Sequence, residues 1–271
     1  MLTKKNKHIA LKVKNLSIGY TSKKGQSIVA SHLNMEIEKG AFVCLLGKNG
    51  IGKSTLLRTL SKIQPFIDGE ITLNDIPLYD YSANELAQKI SLVMTEKLPE
   101  SNLTVFELIA LGRQPYTNWI GKLSEKDIEK INLSMEQTHI EHLSNSKFYE
   151  LSDGQLQRVL ISRALAQDTD IIILDEPTAH LDVQHKMETF QLLKNLAEKL
   201  HKTILVSSHE IHQAIQSATE LWLMTDEKLI VGKPQELIEN GNIEKLFTSE
   251  NIVFNKKNQQ FILKNHETSV K

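Results

Sequence analysis

The sequence predicts an α/β fold: a mostly parallel sheet, an antiparallel β subdomain at the N-terminus and an inserted α-helical subdomain. Three observations predict it. In the last third of the chain, short apolar runs at 171–174, 203–207 and 221–225 alternate with helical stretches at 183–200 and 210–217. The run Ile171–Leu174 is wholly apolar, as a parallel strand covered on both faces is. From Asn102 to Gln167 there are helices and no convincing strand.

Residues 9–18 alternate roughly apolar and polar, as a half-buried strand does, and Gly19-Tyr20 ends the run. Residues 21–27 read as polar turn material, and 28–38 as a second strand closed by Lys39-Gly40. The opening is therefore an antiparallel hairpin. Phe42 to Leu46 is an apolar strand, and Leu56 to Ser61 a helix that Pro65 stops. Residues 66–78 carry turn signals at Asp68-Gly69 and Asn74-Asp75 around a short β run. Ser82 with Glu85 makes a capping box, and Ile90–Met94 is another strand.

In the helical stretch, Thr104 with Glu107 caps a helix that Gly112 ends. Residues 113–123 read as a loop with two aromatics. Ser124 opens a longer helix, where Ile128, Ile131 and Met135 fall on one face and predict core packing. Residues 153–167 form another helix. His139 and His142 share a spacing but have no further ligands nearby, which places them on a surface helix rather than at a metal. The division expected is one unit over 1–271: a core of 1–79 and 166–271, and a helical subdomain at 80–165.

Composition narrows the function. With 40% hydrophobic and 24% charged residues, the chain has the balance of an ordinary globular protein. A formal net charge of −1 argues against a mainly electrostatic nucleic-acid binder. The single cysteine, Cys44, lies in an apolar strand and is expected to be a buried, inert thiol. The basic N-terminus lacks the apolar core of a signal peptide, and no apolar run is long enough to span a bilayer. A cytoplasmic protein is expected, with any membrane role acting through a partner.

Between strand 42–46 and its following helix lies GKNGIGKST, residues 47–55. It fits G-x-x-x-x-G-K-[ST], the P-loop pattern, at every defined position, and predicts a P-loop NTPase core. Glycines let the backbone curl so that N–H groups point at phosphate oxygens, and the helix start adds positive potential. Gly47, Lys48, Asn49, Gly50, Ile51, Gly52, Lys53, Ser54 and Thr55 are the nucleotide-binding candidates. Lys53 supplies charge to the β- and γ-phosphates, and Ser54 a hydroxyl for Mg²⁺.

Two further stations carry chemistry. Asp175 and Glu176 end the apolar strand at 171–174, where parallel sheets bind ligands. Asp175 can hold Mg²⁺ through its water shell, and Glu176 can orient or deprotonate a water. Leu151, Ser152, Asp153, Gly154 and Gln155 place a serine and a glycine at a helix N-terminus, a second anion-binding arrangement.

Taken together these stations resemble the nucleotide-binding subunit of an ABC transporter. GKNGIGKST resembles its Walker A motif, LSDGQ its signature, IIILDEP (171–177) its Walker B with catalytic glutamate, and AHLD (179–182) its D-loop with Asp182. His209 stands where the family has a switch histidine, and Tyr20 where it stacks an aromatic on adenine. The resemblance spans about residues 9–225, in the family's order. It implies ATP and Mg²⁺ as cofactors, and Lys53, Glu176 and His209 as catalytic residues. It also implies a head-to-tail dimer in which the signature of one copy caps the ATP of the other.

Two positions depart from the family. Asp153 replaces a glycine in the signature, and Asp is well tolerated at a helix start. The family places a glutamine after strand 90–94 that reaches Mg²⁺ and the attacking water; Glu96 stands there instead and is expected to fill that role.

The stretch 104–127, with its GR-x-P-Y run, is similar to the helical segment of importers for iron–siderophore, haem or cobalamin complexes. That resemblance implies an ATP-hydrolysing subunit, peripheral on the inner face of the cell membrane. Its partners would be polytopic permease subunits and, indirectly, a solute-binding protein, with no nucleic acid. The alternative is a soluble, non-transporting ABC ATPase such as one serving iron–sulfur cluster assembly.

Overall fold

The computed structural model describes residues 8–23, 25–94, 101–246 and 251–263. The chain opens with β1 (Ile9–Ser22) and β2 (Gly25–Glu38), paired antiparallel. Gly19-Tyr20 does not end the first strand, and 21–27 is not all turn: Gly19 pairs with Ile28, and Tyr20 with Ser27. Backbone bonding carries the hairpin through polar residues at which side-chain alternation stops signalling a strand.

After the Lys39-Gly40 turn come β3 (Phe42–Leu46) and α1 (Lys53–Leu60). The helix starts at Lys53 rather than Leu56, because its first turn is built from the polar end of the loop. β4 (Asp68–Leu73) and β5 (Ile76–Pro77) complete an antiparallel sheet in the order β2-β1-β4-β5. Asn74 and Asp75, at φ 49° and 65°, form the turn between them. Asp68-Gly69 is the start of β4 and not a turn. There Gly69 lies so close to β1 that a Cβ would stand 2.6 Å from the Asn15 carbonyl oxygen.

The Ser82–Glu85 capping box opens α2 (Ala83–Ala87). β6 (Ile90–Val93) pairs in parallel with a strand of the central sheet although it lies inside the 80–165 span. The helical segment therefore begins after it, with α3 (Val105–Ala110), α4 (Glu125–Thr138) and α5 (Asp153–Ala166). Capping boxes start all three.

Gly112 does not end α3, which passes into a tight turn over Leu111–Tyr116, so 113–123 is not loop throughout. Gly112 is there for packing: a Cβ would stand 2.3 Å from the Arg163 carbonyl oxygen. Next to it, Arg113 is buried. Its Nε donates to Asp127 Oδ1 (2.8 Å) and its Nη1 to the Ala166 carbonyl (2.7 Å), and its guanidinium lies 3.9 Å over the Tyr116 ring. The Pro115 carbonyl accepts from Gln88 Nε2 (3.2 Å). Each residue of the GR-x-P-Y run thus has a structural use.

On α4, Ile131 and Met135 are buried but Ile128 is exposed, so the apolar face is narrower than its spacing predicts. His139 caps that helix in the left-handed region (φ 58°), and His142 lies beyond it; the two do not share a helix.

The chain then alternates as expected: β7 (Ile171–Asp175), α6 (Val183–Leu200), β8 (Thr203–Ser208), α7 (Ile211–Ser217) and β9 (Glu220–Met224). β10 (Leu229–Gly232), α8 (Pro234–Glu239) and a small hairpin, β11 (Ile252–Asn255) and β12 (Gln260–Leu263), follow. The central sheet runs β10-β9-β3-β8-β7-β6, parallel except for β10. One face packs on α5, α6 and α7, and the other on α1 and the antiparallel sheet. Cys44 is fully buried in β3, which pushes its thiol far up. A third apolar cluster holds α3, α4 and α5 together. Leu46 pairs with Ser208, and Asp175 with Ser207, so β3, β7 and β8 end side by side on one rim.

Candidate functional site

All five residues of β3 are buried, and the chain leaves that strand abruptly into the loop 47–52. Gly47 fits because a Cβ would stand 2.7 Å from the Met224 carbonyl oxygen. Gly50 and Gly52 hold φ of 76° and 110°, and Gly52 is the N-cap of α1. Lys48, Asn49 and Gly50 are exposed, and Ile51, Gly52 and Ser54 half-buried. The Lys48 side chain pairs with Asp226.

Lys53 is only 4% exposed. Its ammonium folds back across the loop, donating to the carbonyls of Gly47 (3.1 Å) and Lys48 (3.2 Å). Thr55 Oγ1 lies 3.1 Å from the hydroxyl of Tyr20, whose ring is 53% exposed beside the loop.

Opposite the loop, Glu176 Oε1 lies 3.2 Å from Lys53 Nζ and 2.7 Å from His209 Nε2. Lys53 Nζ and His209 Nε2 are 3.1 Å apart. Partial burial pushes the Glu176 carboxyl up. The charges of His209 and Lys53, with their hydrogen bonds, outweigh it and hold the group below the usual carboxylate range. The structure thus gathers a buried ammonium, an ionised carboxylate and an imidazole at the mouth of the loop 47–52. That arrangement can hold a phosphate and keep a base beside it.

Asp175, buried at the end of β7, accepts a hydrogen bond on Oδ1 from Ser207 Oγ (2.7 Å). Among the described residues no group of three or more His, Cys, Asp or Glu could hold a metal. Mg²⁺ takes one or two protein oxygens and completes its shell with water and phosphate. Asp175 Oδ2 and the Ser54 hydroxyl are hard oxygen donors of the right kind. Glu96 lies outside the described residues.

The pentapeptide 151–155 forms a second group. Ser152 caps α5, its Oγ accepting from Gln155 N (3.3 Å) while its own N–H donates to Gln155 Oε1 (3.0 Å). Asp153 in the first turn suits the helix dipole. Gly154 faces His185: a Cβ would stand 2.5 Å from its ring. Asp182 caps α6, accepting from His185 N (2.9 Å), with His185 Nδ1 also 2.9 Å away. Those bonds, led by the backbone N–H, hold the Asp182 carboxyl below its ordinary value. Among the described residues no hydrogen bond joins Leu151–Gln155 or Asp182 to Lys53, Glu176 or His209, so one chain carries two separate groups.

Ser207 and His185 escaped the sequence reading. Ser207 left one signal: it is a polar residue in a run, TILVS, otherwise expected to be buried, and a buried hydroxyl must find a partner.

A family model described as ABC transporter matches residues 30–179. An ABC transporter ATP-binding protein of Methanocaldococcus jannaschii is 37% identical, the alignment covering 94% of this chain and 87% of that protein. The petrobactin import ATP-binding protein FpuD of Bacillus anthracis is 34% identical over 89% and 87%. The ferric enterobactin transport ATP-binding protein FepC of Escherichia coli is 34% identical over 88% and 86%. Among solved structures, an inward-facing ABC transporter assigned to the metal-chelate type superposes with a TM-score of 0.77 at 28% identity, covering 94% and 95% of the two chains. The dimeric cassette MJ0796 gives 0.71 at 29% identity, covering 83% and 98%.

Proposed function

The chain belongs to the ABC transporter ATP-binding family, and from that premise we infer that it powers import of an iron complex (ferric siderophore or haem) or cobalamin across the cytoplasmic membrane. It is an ATPase that binds ATP. The observation that carries the reading is the convergence of Lys53, Glu176 and His209 on the rim where β3, β7 and β8 end. The printed roles of FpuD and FepC in siderophore import support the class of solute. These relatives favour import over the soluble iron–sulfur assembly alternative.

In this reading the N–H groups of 47–52 and Lys53 hold the β- and γ-phosphates, and Tyr20 stacks on adenine. Ser54 and, through water, Asp175 hold Mg²⁺, which when bound neutralises phosphate charge. Glu176 takes the proton of the attacking water, and His209 holds that carboxylate and the γ-phosphate in line. By its place in the sequence after β6, Glu96 would add a further oxygen near the γ-phosphate. Unchanged ATPase activity and unchanged partner stimulation in Glu96→Ala would remove it from the site.

A second copy completes the site. Among the described residues the signature group shares no hydrogen bond with the Lys53 group, and a related cassette is dimeric. A head-to-tail pair would bring Ser152 and Gly154 of one copy, with its Asp182, onto the nucleotide of the other. Within each copy the division is a core of 1–79 and 166–271 and the helical subdomain of 80–165, with β6 returned to the core. No helix among the described residues is long and apolar enough to cross a membrane. In this reading, contact with the inner face of the cell membrane runs through permease subunits, and Trp119 and Ile120, both exposed, suit such a contact.

The test is uptake of labelled ferric siderophore, haem and cobalamin in a deletion strain, together with co-purification of a polytopic permease. Loss of uptake of one of them, restored by the wild-type chain, is the expected result. Normal uptake of all three with no permease bound would end the import reading while leaving the ATPase intact.

A further inference from the structure

Glu176 has an unusual backbone. Its φ is 48°, in the left-handed region, on a residue that follows directly from a buried parallel strand. A non-glycine side chain is strained there and persists only where surrounding bonds hold it. The Glu176 carbonyl accepts from the Ala179 N–H (3.1 Å), and its own N–H is held by one residue of the neighbouring strand. The Glu176 N–H donates to Ser207 Oγ (2.9 Å) and also approaches the Ser207 carbonyl (3.2 Å). The same hydroxyl donates its proton to Asp175 Oδ1 (2.7 Å). A serine hydroxyl has one proton and two lone pairs. Here the proton goes to the carboxylate and a lone pair to the N–H, so its orientation is fixed. Ser207 is wholly buried, and no water competes for these bonds.

We propose that Ser207 is a positioning residue for hydrolysis. It is a hydroxyl bridge that holds the left-handed turn at Glu176 and one oxygen of Asp175, and so sets the water-activating carboxylate relative to the metal-side carboxylate. This rests on the roles assigned above to Asp175 and Glu176. The bridge points Glu176 back toward Lys53 and His209 and leaves Asp175 Oδ2 free to turn toward the loop. Without it the Glu176 N–H keeps only the longer contact to the Ser207 carbonyl, and Glu176 has reason to relax into an ordinary extended conformation that aims its side chain elsewhere. Lys53 would lose its contact with Glu176 but keep the two carbonyls of its own loop. Nucleotide binding and water activation should therefore respond differently.

The experiment compares full-length Ser207→Ala and Ser207→Thr with wild type for kcat, KM for ATP, the Mg²⁺ concentration giving half-maximal rate, and thermal stability. In Ser207→Ala, kcat should fall by roughly tenfold or more, since small misplacements of reacting groups are costly. KM for ATP should stay within about twofold, and the Mg²⁺ requirement should rise. Ser207→Thr keeps the hydroxyl and should recover most of kcat. If Ser207→Ala is too unstable to assay, Ser207→Cys, similar in size but a weak donor, takes its place with the same expectation. Unchanged kcat and Mg²⁺ dependence in the assayed variant would overturn the proposal, as would a kcat loss that Ser207→Thr fails to recover. Glu176→Gln run alongside separates the two levels: if it hydrolyses ATP normally, the assignment of Glu176 fails, whatever Ser207 does.

Discussion

Oε1 of Glu176 and Nε2 of His209 lie 2.7 Å apart, on side chains that leave adjacent parallel strands at the same rim. The same carboxylate oxygen is 3.2 Å from Lys53 Nζ. In the proposed site an incoming γ-phosphate would take over the lysine contact and leave Glu176 and His209 paired beside it to handle the water.

Glu176→Gln should therefore keep ATP binding and lose turnover. The amide fills the same space but cannot take a proton, and loss of a general base costs about two to four orders of magnitude in rate. Phosphate release should fall by that amount, while ATP affinity changes little. If hydrolysis is what reopens the proposed head-to-tail pair, gel filtration with ATP and Mg²⁺ should show a stable dimer. A variant that turns over at the normal rate would contradict the assignment.

Tyr20 offers a separable test of nucleotide binding. Its ring is half exposed at the loop, and its hydroxyl touches Thr55. If the ring stacks on adenine, Tyr20→Ala should weaken ATP binding by about tenfold, in line with a base–aromatic stack of roughly 1–3 kcal/mol. Tyr20→Phe keeps the stack and loses only the bond to Thr55, so its affinity should stay near wild type. Titration with a fluorescent ATP analogue measures both. Equal losses in the two variants would point to the hydroxyl rather than the ring.

The Arg113–Asp127 pair predicts a stability effect with a definite pH sign. Both side chains are buried, and removing one partner strands a buried charge, at a cost of roughly 3–5 kcal/mol. Arg113→Ala should therefore lower the melting temperature by about 10 °C. Burial pushes the Asp127 carboxyl up, but hydrogen bonds from Ser124 and Arg113 and the Arg113 charge outweigh it and hold it below its ordinary value. A group depressed in the folded state stabilises fully above its unfolded pKa, near ~3.9, and loses that contribution as pH falls through the folded value. Asp127→Asn should flatten the fall in stability below about pH 4, which denaturant melts across that range would register.

Much of this architecture is legible in the sequence because the relevant rules are local. Ser82, Thr104 and Ser124 announce their helices through residues three positions on. The loop 47–55 announces itself by its glycines, and Asp175-Glu176 by ending an all-apolar run. What sequence reading missed depends on contacts across the fold. Gly112 looks like a helix stop and is a close approach to Arg163. Tyr20 looks like the end of a strand and lies within a hairpin held by backbone bonds. Ser207 acts on residues 31 and 32 positions away, which no periodicity encodes.

Gly154 and His185 carry the last expectation. They bring the signature helix α5 against the start of α6, and a Cβ on Gly154 would stand 2.5 Å from the imidazole. In Gly154→Ala the ring has to move, which disturbs its contact with Asp182, 2.9 Å from Nδ1. The substitution should thus cost about 1–3 kcal/mol in stability, the usual penalty for overpacking. His185→Ala removes the obstacle along with the Asp182 contact, so in the double variant the cost of the new methyl should largely vanish. The two effects are then strongly non-additive, whereas sites without contact add to within about 0.5 kcal/mol. Melts of the two single variants and the double variant form the cycle that reads this coupling. A simple sum would mean that the ring does not set the need for glycine at 154. ATPase activity of the same proteins reports a different property. If Gly154 approaches the partner copy's nucleotide, hydrolysis should stay low in the double variant even where stability has returned.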